Sequence, residues 1–146
     1  MKTRLSLRLL FILESLLFVV DNSCANSLIK SPTDIQILQY VTYRESRGET
    51  VETIRAVLDV VNNRVIKNRE TIRVTIFKAG QFPYVARTGI RKVKDKEFLT
   101  KFWKAYNMKP ILTSEALYFN HYKSKHKWAD KHKRVGNLIF SREKGK

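Results

Sequence analysis

Acidic residues are scarce in this chain: 13 Asp and Glu stand against 29 Lys and Arg, leaving a formal charge of +16. Cysteine is scarcer still, with Cys24 alone, so no internal disulfide framework is available. Glycine, at 5 scattered residues, is too sparse to build a phosphate-cradling loop. No apolar run is long enough for a comfortable membrane span, and no repeat or low-complexity tract interrupts the chain. These absences remove disulfide-stapled scaffolds, nucleotide-binding loops and solenoids. What remains is one compact domain. A length of 146 residues suits one core rather than two, and 43% hydrophobic content with 11% aromatics is enough to fill it.

The excess of positive charge calls for a polyanionic partner: nucleic acid, an anionic membrane face, or envelope polymers carrying carboxylates and phosphates. The N-terminus narrows that choice. "MKTRLSLRLLFILESLLFVVDNSCANS" places Lys2, Arg4 and Arg8 before an apolar run from Leu9 to Val20, followed by the small residues Ser23-Cys24-Ala25. That is the three-part layout of a secretory signal. Residues 1–25 are therefore expected to be a signal peptide, or an uncleaved anchor touching the membrane transiently, with 26–146 as the exported domain. Glu14 inside the apolar run works against insertion, and a cytosolic amphipathic helix is the competing reading. Asp21 stands where a lipid-attachment motif would need an aliphatic residue, which speaks against an anchor on Cys24. Cleavage after Ala25 would remove three basic and two acidic residues, leaving a thiol-free chain of charge +15. The expected location is secreted or periplasmic, associated with the cell envelope.

Helical periodicity dominates the chain beyond this segment. Ile35, Leu38 and Val41, widened by Ile37 and Tyr40, predict a helix from Asp34 to Glu45, capped by Thr33 or Asp34 and stopped by Gly48. A second helix reads from about Thr50 to Lys67, with Ile54, Val57, Leu58, Val61 and Val65 inward and Glu52, Arg55, Asp59 and Asn62 outward. "TIRVTIFKAGQFPYV" allows one or two helical turns before Gly80, and "ARTGIRKVK" reads as an exposed loop. A third helix spans Asp95 to Asn107, with Phe98, Phe102 and Tyr106 on one side and Pro110 beyond its end. "EALYFNHY" and "RVGNLIF" read as two short strands joined by the basic loop "KSKHKWADKHK". The expected fold class is α+β, mostly α, with a small antiparallel element near the C-terminus.

The junction "YRESRGETVE" carries the first chemical signal. Leu38, Val41 and Glu45 are spaced three and four apart, so Glu45 continues the inward stripe of its helix. A carboxyl at the dry end of such a stripe has its charged form disfavoured, as a general acid working near neutrality requires. Arg64 stands at the matching place on the second helix, three residues beyond Val61, able to pair with an acid or hold a substrate oxygen. The plainer reading is helix punctuation, with Glu45 ending one helix in solvent and Glu49 favouring the dipole of the next. The stripe keeps both readings open for Glu45; for Glu49 the plainer one is preferred.

Four blocks then bear on family. "YRESRGETVETIRAVLDVVNNRV", "IFKAGQFPYV", "ALYFNHYKSKHKW" and "RVGNLIF" resemble, in order and with compatible gaps, the SleB-type cell wall hydrolases, the spore-cortex-lytic enzymes and their phage and bacterial relatives. The shared order is Glu-x-Arg-Gly-Glu, Asn-Arg, Gln-Phe, Tyr-Phe-Asn and Trp, over residues 35 to 140. The resemblance implies a lysozyme-like domain cutting peptidoglycan glycan strands as a lytic transglycosylase, with Glu45 as general acid and then base, and with no metal or cofactor. One acid suffices for that chemistry, because the sugar's own 6-hydroxyl is the nucleophile. Glu49 is the nearby second carboxylate should a water-using muramidase be correct. By the same matching, Asn63 and Arg64 would support the acid's helix, Gln81 and Phe82 would line the glycan cleft, and Tyr118, Asn120 and Trp128 would face sugars. Each of these also has a packing role open to it, most readily Phe82. Where relatives often carry His, this sequence has Leu138.

His121, His126 and His132 with Asp130 match no zinc-binding spacing and read as a basic, solvated loop. The rival from another class is a nucleic-acid-binding module built on the basic residues 123–146 with Tyr122 and Trp128 interleaved. A non-catalytic glycan-binding protein is the third reading. The preferred partners are peptidoglycan strands and anionic envelope polymers, engaged by a monomer.

Overall fold

The computed structural model describes residues 31–123 and 132–142; the expected signal segment, His126, Trp128 and Asp130 lie outside them. The first helix, α1 (Asp34–Ser46), opens on a capping box, the Thr33 hydroxyl accepting from the Gln36 N–H while the Gln36 side chain accepts from the Thr33 N–H. The chain leaves α1 through Gly48, whose φ of +84° is the left-handed conformation glycine adopts without strain. Thr50 caps α2 (Val51–Asn68). Two short helices follow, α3 (Ile72–Phe77) and α4 (Pro83–Thr88), the latter with Pro in its first turn. Asp95 caps α5 (Lys96–Tyr106) by accepting from the Phe98 N–H at 2.9 Å. Three strands complete the described chain: β1 (Tyr118–His121), β2 (His132–Val135) and β3 (Leu138–Ser141). The class is α+β, mostly α. No helix among the described residues is long and apolar enough to cross a membrane.

The element at the centre is α2. Every residue from Thr53 to Val61 is buried, because two cores meet on this helix. On one side Ile54, Leu58 and Val61 pack with Ile37 and Val41 of α1, Ile76 of α3, Val85 of α4, and Phe98 and Phe102 of α5. On the other side Ala56, Val57 and Val60 pack with Leu112, Ala116, and Leu138 and Phe140 of β3. The three-stranded antiparallel sheet has the order β1-β3-β2, with Phe119 opposite Phe140 and Arg134 opposite Ile139. It covers the second core.

Three expectations need correction. "RVGNLIF" is two strands around the two-residue turn Gly136-Asn137, where φ is +57° at Gly136. A side chain at Gly136 would collide with Thr53 Oγ1 and with Glu49 Oε2 at 2.7 Å, so the turn lies flat on the start of α2. "ARTGIRKVK" is only partly exposed, since Ile90 and Val93 are plugs in the helical core. Arg55 and Asp59, read as outward, are 9% and 2% exposed. A helix covered on both sides leaves them no water, and they answer one another and the backbone instead. Arg55 Nε donates to Asp59 Oδ1 at 2.7 Å and its Nη1 to the Met108 carbonyl at 3.1 Å. Asp59 Oδ2 accepts from the Ile111 and Leu112 N–H groups at 2.8 and 3.0 Å.

Asp59→Ala would leave a buried guanidinium without its counter-charge and two N–H groups without an acceptor. A loss of about 3–5 kcal/mol in urea unfolding is expected. A loss below about 1 kcal/mol, the scale of an exposed pair, would show that this buried pair does not organise the fold.

Candidate active site

Glu45 occupies the last turn of α1, one helical step beyond Val41, and is half-buried. Burial pushes its carboxyl pKa above the ordinary carboxylate value; a hydrogen bond from Tyr84 and then the charges of Arg44 and Arg64 pull it partly back. Its place in the last turn of a helix, at the negative end of the helix dipole, also disfavours a negative charge. The Tyr84 hydroxyl of α4 is buried without a partner in strict hydrogen-bond geometry, yet it faces this carboxyl closely enough for each group to shift the other. Burial and the nearby Glu45 carboxylate push the phenol up, so Tyr84 stays a proton donor.

Arg64 enters from α2. Its Nε donates to the Leu117 carbonyl at 2.6 Å, and its guanidinium lies 5.6 Å from the ring centres of both Phe82 and Tyr118. One terminal nitrogen, Nη1, is buried without a partner. Burial pulls the Arg64 pKa down, while Tyr118 and Glu45 pull it up. Glu45, Arg64, Phe82 and Tyr118 are thus drawn together from α1, α2, the start of α4 and β1.

The other candidate residues take different places. Glu49 stands apart: its oxygens accept from the Asn137 side chain at 2.9 Å and the Asn137 N–H at 3.4 Å, tying the α1–α2 junction to the β2–β3 turn. Asn63 donates to the carbonyls of Thr113 and Ala116, both at 2.9 Å, and so braces the segment entering β1 rather than the helix carrying Glu45. Phe82 is 3% exposed, a core ring more than a cleft wall. Gln81 is half-buried in the turn before α4, its N–H donating to the Lys78 carbonyl at 3.2 Å. Asn120 shares a face of β1 with Tyr118 by strand alternation, and its Oδ1 accepts from the His121 N–H at 2.8 Å. Trp128 lies outside the described residues. Among those described, no group of three or more His, Cys, Asp or Glu side chains is placed to hold a metal ion.

Sequence reasoning missed the groups that surround the acid. The Arg44 guanidinium lies 4.8 Å from the Tyr84 ring centre and donates to the Tyr40 hydroxyl at 3.4 Å. Tyr40 in turn shares a 3.2 Å hydrogen bond with Thr88. Tyr84 had a signal, since it sits in "QFPYV" directly after the Pro that starts α4; the fold, not the spacing, brings it to Glu45. Beside this cluster Tyr40, Tyr43, Arg44, Arg47, Thr88 and Arg91 line a groove of about 430 Å³.

A family model described as Cell Wall Hydrolase matches residues 48–141. The match takes in Glu49, Asn63, Arg64, Gln81, Phe82, Tyr118, Asn120 and Trp128, and begins just after Glu45. No curated protein and no solved structure matches the chain.

A carboxyl raised by burial binds its proton more tightly in the folded chain than in the unfolded one. Its contribution to stability is full below the unfolded value near 4.5 and is lost as pH rises through the folded value. Glu45→Gln removes that loss, so its melting midpoint relative to the parent should climb between pH 4 and pH 8. A difference independent of pH in thermal melts would mean that the carboxyl holds its proton no more tightly in the folded chain than in the unfolded one.

Proposed function

The chain belongs to the cell wall hydrolase family, and on that premise we propose that it cuts the glycosidic bond between N-acetylmuramic acid and N-acetylglucosamine in peptidoglycan, with Glu45 as the proton donor. The observation that carries this reading is the Glu45 carboxyl, desolvated at a helix end, faced by the Tyr84 hydroxyl and flanked by two arginines, one of which lines an open groove. A carboxyl whose charged form is disfavoured by burial is fit to protonate the bridging oxygen as the bond breaks. The resulting carboxylate is stabilised by the Tyr84 hydroxyl and by the Arg44 and Arg64 charges.

The second half-reaction turns on the nucleophile. A water-using mechanism needs another carboxylate to activate water or to form a covalent intermediate. The nearest candidate in sequence, Glu49, is engaged by Asn137 through both oxygens. That engagement favours a lytic transglycosylase: the Glu45 carboxylate takes the proton of the muramic acid 6-hydroxyl, the freed oxygen attacks C1, and a 1,6-anhydro end forms with no water consumed. The expected setting is the cell envelope, where the cationic surface would hold the enzyme to anionic polymers.

Purified protein should clear a peptidoglycan suspension, and Glu45→Gln should abolish clearing while its melting midpoint at neutral pH stays within a few degrees of the parent. Mass spectrometry of the fragments should find ends lighter by one water than reducing ends. Reducing ends would replace the transglycosylase by a muramidase. Clearing by neither form, with salt-sensitive binding of DNA by both, would replace the enzyme by a nucleic-acid-binding module.

A further inference from the structure

The groove beside Glu45 has an unusual chemistry for a sugar site. Its lining presents the guanidinium groups of Arg44, Arg47 and Arg91, the phenols of Tyr40 and Tyr43, and the Thr88 hydroxyl, with no carboxylate. Guanidinium groups only donate hydrogen bonds, whereas an uncharged sugar face brings donors and acceptors in comparable number. The acidic neighbours of these arginines are outside the groove lining: Arg44 acts on Glu45 through its charge, and neither Glu45 nor Asp95 lines the groove. Arg47 meets Asp95 only at 3.8 Å and with 68% of its side chain exposed, and Arg91 has no side-chain partner among the described residues. Tyr43 and Tyr84 orient the Arg47 and Arg44 planes at 5.2 and 4.8 Å from their ring centres. Three cations converging on one concavity are complemented by an anion with several acceptor oxygens.

The position of the groove selects among anions. Arg44 is the chain neighbour of Glu45, and Tyr40 meets Tyr84 edge to face at 6.3 Å between ring centres. The groove and the surroundings of the acid thus share Arg44. The sugars of a peptidoglycan strand are neutral, and the lactyl carboxyl of muramic acid is consumed in the amide bond to its peptide. The carboxylates within reach are those of the stem peptide hanging from the muramic acid at the cleavage point.

We propose that the Arg44–Arg47–Arg91 groove is a subsite for stem-peptide carboxylates, making the enzyme selective for glycan strands whose stem peptides carry free carboxylates over strands whose stem peptides are amidated. This rests on the peptidoglycan-cleaving reading above. The test compares kcat/KM on soluble peptide-bearing strands with that on the same strands after their stem-peptide carboxyls have been converted to amides. The parent chain should prefer the strands with free carboxylates by about tenfold, the worth of one charge-assisted contact, and Arg91→Ala should bring the ratio close to one. In parallel, N-acetylmuramyl-L-alanyl-D-glutamate and its diamide are titrated into the full chain by NMR. The diamide should bind about tenfold more weakly than the acid, and Arg91→Ala should erase that difference. Equal kcat/KM on both strands, or equal binding of acid and diamide, would overturn the proposal. Displacement of the acid by poly(glycerol phosphate) with no effect of amidation on rate would assign the groove to phosphate polymers instead. If the parent cuts neither strand, the cleavage reading fails, and the titration still decides the subsite on its own.

Discussion

A helix with water on no side must find a partner for every polar group it carries, and α2 is such a helix between Thr53 and Val61. Its solution is a ladder. Arg55 holds the Met108 carbonyl, Asp59 the Ile111 and Leu112 N–H groups, Asn63 the carbonyls of Thr113 and Ala116, and Arg64 that of Leu117. Ascending the helix, the partners ascend the chain from 108 to 117. An irregular segment that would otherwise be loosely held is thereby laid along α2 and delivered, in register, to the start of β1.

The dryness of Glu45 depends on that ladder. Its last rung, Arg64, is fixed at one nitrogen by the Leu117 carbonyl and lies against Phe82 and Tyr118, so its charge is held near the acid rather than swinging into solvent. The opposing wall comes from α4, where Tyr84 presents its hydroxyl to the carboxyl and its ring to Arg44. Two cations and one phenol act against the desolvation that raises the carboxyl, yet the raised direction wins. The proton donor proposed here must also become a stable carboxylate within one turnover, and that needs such a balance of a dry site with cations close by.

Periodicity made α1, α2 and α5 legible, because an inward stripe at three and four residues is written directly in Val41, Ile54, Leu58 and Phe102. It also carried Glu45, whose spacing from Val41 is that of a core residue. It failed at Arg55 and Asp59 for the converse reason: a single stripe gives a helix one wet side, and nothing local reveals that a sheet covers the other. The β2–β3 turn was hidden within a single apolar run, its mark being the Gly136-Asn137 pair, which two-residue hairpins favour. Glu49 looked like dipole punctuation, and its tie to Asn137 joins residues 88 positions apart, beyond the reach of local pattern. Tyr84 and the arginine groove are products of packing in the same sense, assembled from α1, α4 and the turn after it.

The ladder also fixes the length of the helix that carries it. Arg55, Asp59 and Asn63 recur every fourth residue, and each is matched to a particular peptide of the neighbouring strand of chain. Adding or deleting one residue between them would turn everything beyond it by about 100°, unhooking the later rungs together and swinging Arg64 away from the acid. Insertions are ordinarily tolerated in loops and merely bend helices. Here a single codon gained or lost in mid-helix would strike fold and chemistry at once, so length variation in this lineage is expected to be confined to the connections outside α2.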